Sequence, residues 1–241
     1  MRNLSEHLRE TSKELRWPGT HVAVDEAIAQ FYGRSKHKTS FKNKPSGEGF
    51  KWWCIGEDGY PYDWLAYSAV KRTQDLQERW TSRSIEILSI GLADTQAAVV
   101  ELVERLPKRE AENSGYIVYI DNLFTTPKLL SVLRDLGHGA ARTVRRSNKR
   151  IDKRLIKLQK QQDRINWDKL WAVLSSDGKS IQFGWRDLKL VLFETTVFTG
   201  QERALTIRKR PRKGASSSQQ ARTVFLPVSY THLTLPTNRE V

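Results

Sequence analysis

GYIVYIDNLF, residues 115–124, runs five apolar or aromatic side chains into an acid, an amide and two more apolar residues. Such a run, rich in β-branched and aromatic side chains, predicts a buried strand over 115–121. Its end on Asp121 and Asn122 has an ordinary explanation, because both residue types favour turns. It also suits a carboxylate held at the mouth of a sheet, where ligands of open α/β folds bind. Downstream, Thr125 or Thr126 can cap a helix that Pro127 starts, with Leu129, Leu130, Leu133 and Leu136 as the buried stripe and Gly137 at its end. GAARTVR, 139–145, predicts a further strand.

Working outward, residues 3–16 carry Leu4, Leu8, Thr11 and Leu15 at helical spacing before Pro18-Gly19, which predicts a short amphipathic helix. HVAVDEAI, 21–28, alternates like a strand that again ends on an acid, Asp25. KWWCIGEDGYPYDWLAYSAV, 51–70, reads as two strands joined at Asp58-Gly59. Residues 95–106 put Ala98, Val99, Leu102, Val103 and Leu106 on one helical face before Pro107. Residues 149–164 are dense in Lys and Arg and predict an exposed helix or arm, and 171–196 predict three strands around turns at Asp177-Gly178 and Arg186-Asp187. The order describes an α/β (α+β) fold, a mixed sheet flanked by helices with both acids at strand ends.

Charge narrows the partner. Lys and Arg outnumber Asp and Glu 41 to 27 over 241 residues, a net +14 that suits a polyanion, with nucleic acid first. No window approaches the roughly 20 apolar residues of a spanning helix, and the first residues lack a signal-peptide core, so no membrane partner is expected and the chain reads as soluble and intracellular. A single cysteine, Cys54, excludes an internal disulfide, and five scattered histidines offer no zinc spacing. The last fourteen residues, VSYTHLTLPTNREV at 228–241, are neutral and Thr-rich after a basic segment. They resemble read-through of a sequencing-library adapter and are set aside from fold reasoning, with the natural protein expected to continue beyond about Phe225.

Asp25 in VDEAI, the run GRSKHKTSFKNKPSGEGFK (33–51) and YIDNLFTTPKLLSVLRDLGHGAARTVR (119–145) occur in one order that resembles the piggyBac family of transposases, especially the fungal type. FGWRD (183–187) and RKRP (208–211) add to the resemblance, which covers about 4–225. It implies a ribonuclease-H-like core that cuts and joins DNA at transposon ends with Mg²⁺ (or Mn²⁺). Asp25 and Asp121 match the first two catalytic, metal-holding acids. Glu26 leaves open which carboxylate faces the metal; strand alternation puts the two on opposite faces, and the resemblance selects Asp25. On neighbouring strands about 4.8 Å apart, two such carboxylates can share a hard cation.

The resemblance also implies a third acid in a motif like GVDxxDQ, downstream of Phe225, which this sequence does not contain. The chain as given is therefore expected to be inactive or nearly so. Asp187 reads as a structural turn acid. Two departures mark drift from the family pattern: Arg142 stands where Gly is usual, and Leu188 where Asn is usual.

The organisation expected is a ribonuclease-H-like first part of the core over 1–148, a basic segment and inserted β-rich region over 149–213, a linker over 214–227, and the adapter-like end. Candidate phosphate contacts, taken as a group, are Arg142, Arg145, Arg146, Lys149, Arg150, Lys153 and Arg154, then Arg208, Lys209, Arg210, Arg212 and Lys213. A solvated face or a nuclear-import signal is the bland reading of such runs. Most of the eight tryptophans are expected in the core, although any of them could stack on unpaired bases. DNA is the partner implied, the nucleus the expected location, and a homodimer an option for the full-length protein. The alternative is a domesticated or decayed descendant that binds DNA without cutting it; an unrelated ribonuclease-H-like nuclease fits the ordered motifs poorly.

Overall fold

The computed structural model describes residues 2–40, 47–67, 91–109, 115–122, 124, 126–145, 151–166, 169–176, 178–186 and 189–199. Its elements are α1 (Arg2–Leu15), β1 (His21–Gln30), β2 (Thr39–Ser40), β3 (Glu48–Glu57), β4 (Tyr60–Tyr67), α2 (Asp94–Glu104), β5 (Ile117–Ile120), α3 (Pro127–Asp135), β6 (Gly139–Val144), α4 (Lys153–Lys160), a 3-10 turn (Gln162–Arg164), β7 (Leu170–Leu174), β8 (Ile181–Arg186) and β9 (Leu190–Thr195).

One mixed sheet organises them, in the order β2-β3-β1-β5-β6-β9-β8-β7, with β4 also on the outer side of β3. The centre is parallel, β1 with β5 and β5 with β6, and everything outside it is antiparallel. The β3–β4 hairpin turns on Asp58 and Gly59, both at positive φ (49° and 78°), the backbone that a two-residue hairpin needs and that Asp-Gly supplies. The β-rich stretch β7–β9 joins the same sheet: β9 pairs with β6 from Ala141↔Thr195 to Val144↔Leu192.

Alternation gives the sheet two different faces. On the helix side, Val22, Val24, Val118, Ile120, Trp53 and Ile55 pack against Ala98, Val99, Leu102 and Val103 of α2 and Leu129, Leu130 and Leu133 of α3. Leu155 of α4 extends this layer over Val144, Leu190 and Leu192. On the opposite side, Ala23, Tyr119 and Ala141 form a smaller apolar floor, with Phe198 stacked on Tyr119. Thr126, rather than Thr125, is the cap of α3: its hydroxyl accepts from the Leu129 amide at 3.3 Å, Pro127 opens the helix, and Gly137 leaves it at φ +82°.

Two expectations change. Asp25 does not end a strand, because β1 continues to Gln30 through antiparallel pairing with β3, from Asp25↔Cys54 to Gln30↔Gly49. Only the parallel pairing with β5 stops before it, at Val24↔Ile120. Helix α1 forms as expected, but its leucine stripe faces outward, with Leu4, Leu8 and Leu15 at 61%, 50% and 76% exposure. The helix meets β4 through polar groups instead: Arg9 and Lys13 pair with the buried Asp63, the Ser12 hydroxyl donates to the Pro61 carbonyl, and the Trp64 indole donates to Ser5.

Candidate active site

The site starts from the register. Val24 lies opposite Ile120 across the parallel β1–β5 pair, so the next residues, Asp25 and Asp121, come level on strands about 4.8 Å apart. Alternation puts both on the face of Ala23 and Tyr119, away from α2 and α3. Ile120 in turn lies opposite Arg142, which brings Thr143 level with Asp121. The contact is made: the Thr143 hydroxyl donates to Asp121 Oδ1 at 3.1 Å. Carboxylates far apart in sequence therefore share one row with a hydroxyl that orients the second of them.

The next residue is tied down as well. The Arg145 backbone amide donates to Asn122 Oδ1 at 3.3 Å, and the fully buried Phe124 closes a turn by donating its amide to the Asp121 carbonyl at 3.2 Å. Asp121 itself is exposed and Asp25 half-buried, with Asp25 Oδ1 accepting from the Glu26 amide at 2.7 Å.

Glu26 is drawn to the helix face, where its carboxylate pairs with Lys51, whose ammonium lies 5.8 Å from the Trp53 ring centre and 5.1 Å from that of Tyr67. On the other side of Asp25, Cys54 is buried and its thiol is pushed up to about 12, first by desolvation and then by the Asp25 charge. It stays protonated, and a neutral thiol is a poor ligand for a hard cation. Below the acids Tyr119 is buried, so its hydroxyl titrates well above the ordinary tyrosine range, and that hydroxyl meets His21 Nδ1 at 2.8 Å.

The donor set at the row is oxygen only, two carboxylates at the end of a rigid parallel pair. That fits Mg²⁺, which keeps several waters and needs only one or two carboxylates from the protein. Among the described residues no group of three His, Cys, Asp or Glu side chains comes together.

The basic candidates separate. Arg142 is a correction: at 2% exposure its guanidinium is enclosed and paired with Glu194, its Nε donating at 2.8 Å, and is not presented to a phosphate. Ser180 and Gln182 donate to the other Glu194 oxygen, at 2.7 and 3.5 Å. Arg145, Lys153 and Arg154 are exposed; the Arg154 guanidinium also holds Asp152 at 3.0 Å and keeps that carboxyl below the usual range. Arg146, Lys149, Arg150, Arg208, Lys209, Arg210, Arg212 and Lys213 lie outside the described residues, as do Asp187 and Leu188.

Set against known families, residues 1–223 match the family described as Transposase IS4. The chain belongs to the IS4 transposase family. No curated protein sequence matches it. Among solved structures, this IS4-family chain is similar to a piggyBac transposase determined as a synaptic complex with hairpin DNA, with a TM-score of 0.62 at 18% identity. The match covers 86% of this chain and 38% of the other, so the transposase chain spans well under half the length of that relative. Its mixed sheet flanked by helices is the ribonuclease-H-like fold of that piggyBac transposase.

Sequence reasoning singled out Asp25 and Asp121 but not Thr143 or the Asn122 clip. Nothing local marks them, since each depends on which residue of β6 comes level with β5.

Proposed function

We propose that this chain is part of the catalytic core of a DNA transposase whose parent reaction is metal-dependent strand cleavage and transfer at transposon ends. The observation that supports it is the row Asp25–Asp121–Thr143, in which strand register sets two carboxylates side by side on one face. Asp25 and Asp121 would hold Mg²⁺ or Mn²⁺. When bound, the ion supplies Lewis-acid stabilisation of charge at the scissile phosphate and activation of the attacking hydroxyl. Thr143 fixes the rotamer of Asp121, and the Asn122 clip holds the turn behind it. The exposed Arg145, next to that clip, supplies a phosphate contact, joined by Lys153, Arg154 and the basic runs outside the described residues. DNA is the partner, and a nuclear location and a homodimer of the full-length protein belong to the same reading.

In this reading a third acid acts together with Asp25 and Asp121. Two measurements test this. Calorimetric titration of the chain with Mn²⁺ should show one weak site that Asp25→Asn or Asp121→Asn removes; binding unchanged in both variants would overturn the metal assignment. Sequencing the source locus past the codon for Phe225 should reveal the third acid, and the extended protein should cleave terminal-repeat DNA with Mg²⁺, losing activity to background in either variant. A frame that lacks the acid leaves a DNA-binding relic.

A further inference from the structure

The described tryptophans do not all lie in the core. Trp53 and Trp185 are core, at 3% and 0% exposure, whereas Trp52, the neighbour of Trp53, is half-buried on the other face. Alternation places Trp52 and Phe50 of β3 on the face that carries Asp25, level with Ala27 and Ala29 of β1. Phe31, just beyond β1, joins them: its ring centre is 4.9 Å from that of Phe50, which is 6.2 Å from that of Trp52. Trp52 lies about 7 Å along the strand from the level of Asp25, and Phe50 about 14 Å.

The neighbours of this row are small. Trp52 lies between Ala27 on β1 and Ala66 on β4, Phe50 is level with Ala29, and Phe31 is 37% exposed. Aromatic side chains that served only the hairpin would be expected to meet large cross-strand partners; here the directly paired residues are alanines, and Phe50 and Trp52 stay partly exposed. The ring intervals exceed the 3.4 Å per nucleotide of a stacked strand, and the rings tilt by 36° and 57° to one another. Each ring therefore offers its own face to a base drawn apart from its neighbours rather than to a duplex. Exposed Arg34 and Lys36 follow in the next segment, and the chain is net +14, charge that complements the backbone of such a strand.

We propose that Phe31, Phe50 and Trp52 form a stacking platform for unpaired bases of a DNA strand, leading from the Asp25 end of the β1–β3 ladder out to its tip. It rests on the DNA reading above and adds a subsite to it: bases a few nucleotides from the scissile phosphate are held single-stranded while the acids address the backbone.

The test is fluorescence anisotropy of the full chain with a labelled single-stranded oligonucleotide and with a blunt duplex of the same sequence, at one fixed salt concentration. Trp52→Leu should weaken single-strand binding about tenfold, the worth of one stacked base, while duplex binding, carried by phosphates, stays within about twofold. Trp52→Phe, which keeps a ring, should retain most of the single-strand affinity. Phe31→Leu, at the exposed end, should act in the same direction as Trp52→Leu and decides the matter if that variant loses its folded circular-dichroism spectrum. Single-strand affinity untouched in Phe31→Leu and in folded Trp52→Leu, or lost equally on both DNAs, overturns the platform while the transposase reading stands. A wild-type chain that binds neither DNA overturns that reading too.

Discussion

At the residue scale, Arg142 shows how a side chain's role depends on what lies level with it. In the sequence it opens a basic run, yet in the fold it is level with Glu194 across β6 and β9 and disappears into an ion pair. Ser180 and Gln182 complete that network, and Gln182 also accepts from the Asp152 amide at 2.8 Å, tying it to the start of α4. Truncation with Arg142→Ala would leave a buried carboxylate without its cation, so a loss of about 3 kcal/mol is expected in urea unfolding at constant m. Replacing the pair together, Arg142→Met with Glu194→Gln, which keeps an acceptor for Ser180, should recover much of that loss. A single variant that loses less than about 1 kcal/mol would mean that the pair is not the enclosed unit described.

At the scale of elements, local signals decide where helices start and tertiary contacts decide how they face. Thr126 and Pro127 begin α3 immediately behind the Asp121 turn, so the cap fixes the approach to the candidate site as well as the helix. Thr126→Ala should cost about 1 kcal/mol and speed amide exchange at Leu129, the residue whose amide the hydroxyl holds. Unchanged exchange there would show that the cap contributes nothing. Helix α1 is the contrary case: its leucine spacing is real, but buried Asp63 draws Arg9 and Lys13 inward and turns the leucines out.

At the scale of the whole molecule, His138 ties the helix layer to the parallel centre of the sheet and reports on it through pH. It lies between α3 and β6, its Nδ1 accepts the Tyr116 amide at 3.1 Å, and burial lowers its pKa below 6.5, with Glu104 opposing that shift. The unfolded chain therefore takes up a proton near its ordinary pKa before the folded chain does. This contribution is fully present above about pH 6.5 and is lost as pH falls through the lower folded value. Stability of the parent measured relative to His138→Gln should fall as pH drops below about 6.5; a difference that stays constant there would exclude the linkage.

Much of the molecule was legible in the chain itself, because its signals act over a few residues. Apolar runs bounded by turn formers mark β5 and the β3–β4 hairpin, Thr126-Pro127 with its leucine stripe marks α3, and the ordered motifs point to Asp25 and Asp121. What only the tertiary structure decided depends on pairing between distant segments. Continued pairing with β3 carried β1 past Asp25, alternation sent Glu26 to Lys51 on the helix face, and register put Thr143 against Asp121 and Arg142 against Glu194. A one-residue slip would turn every side chain of a strand to the other face, and no stretch of a few residues encodes the register that prevents it.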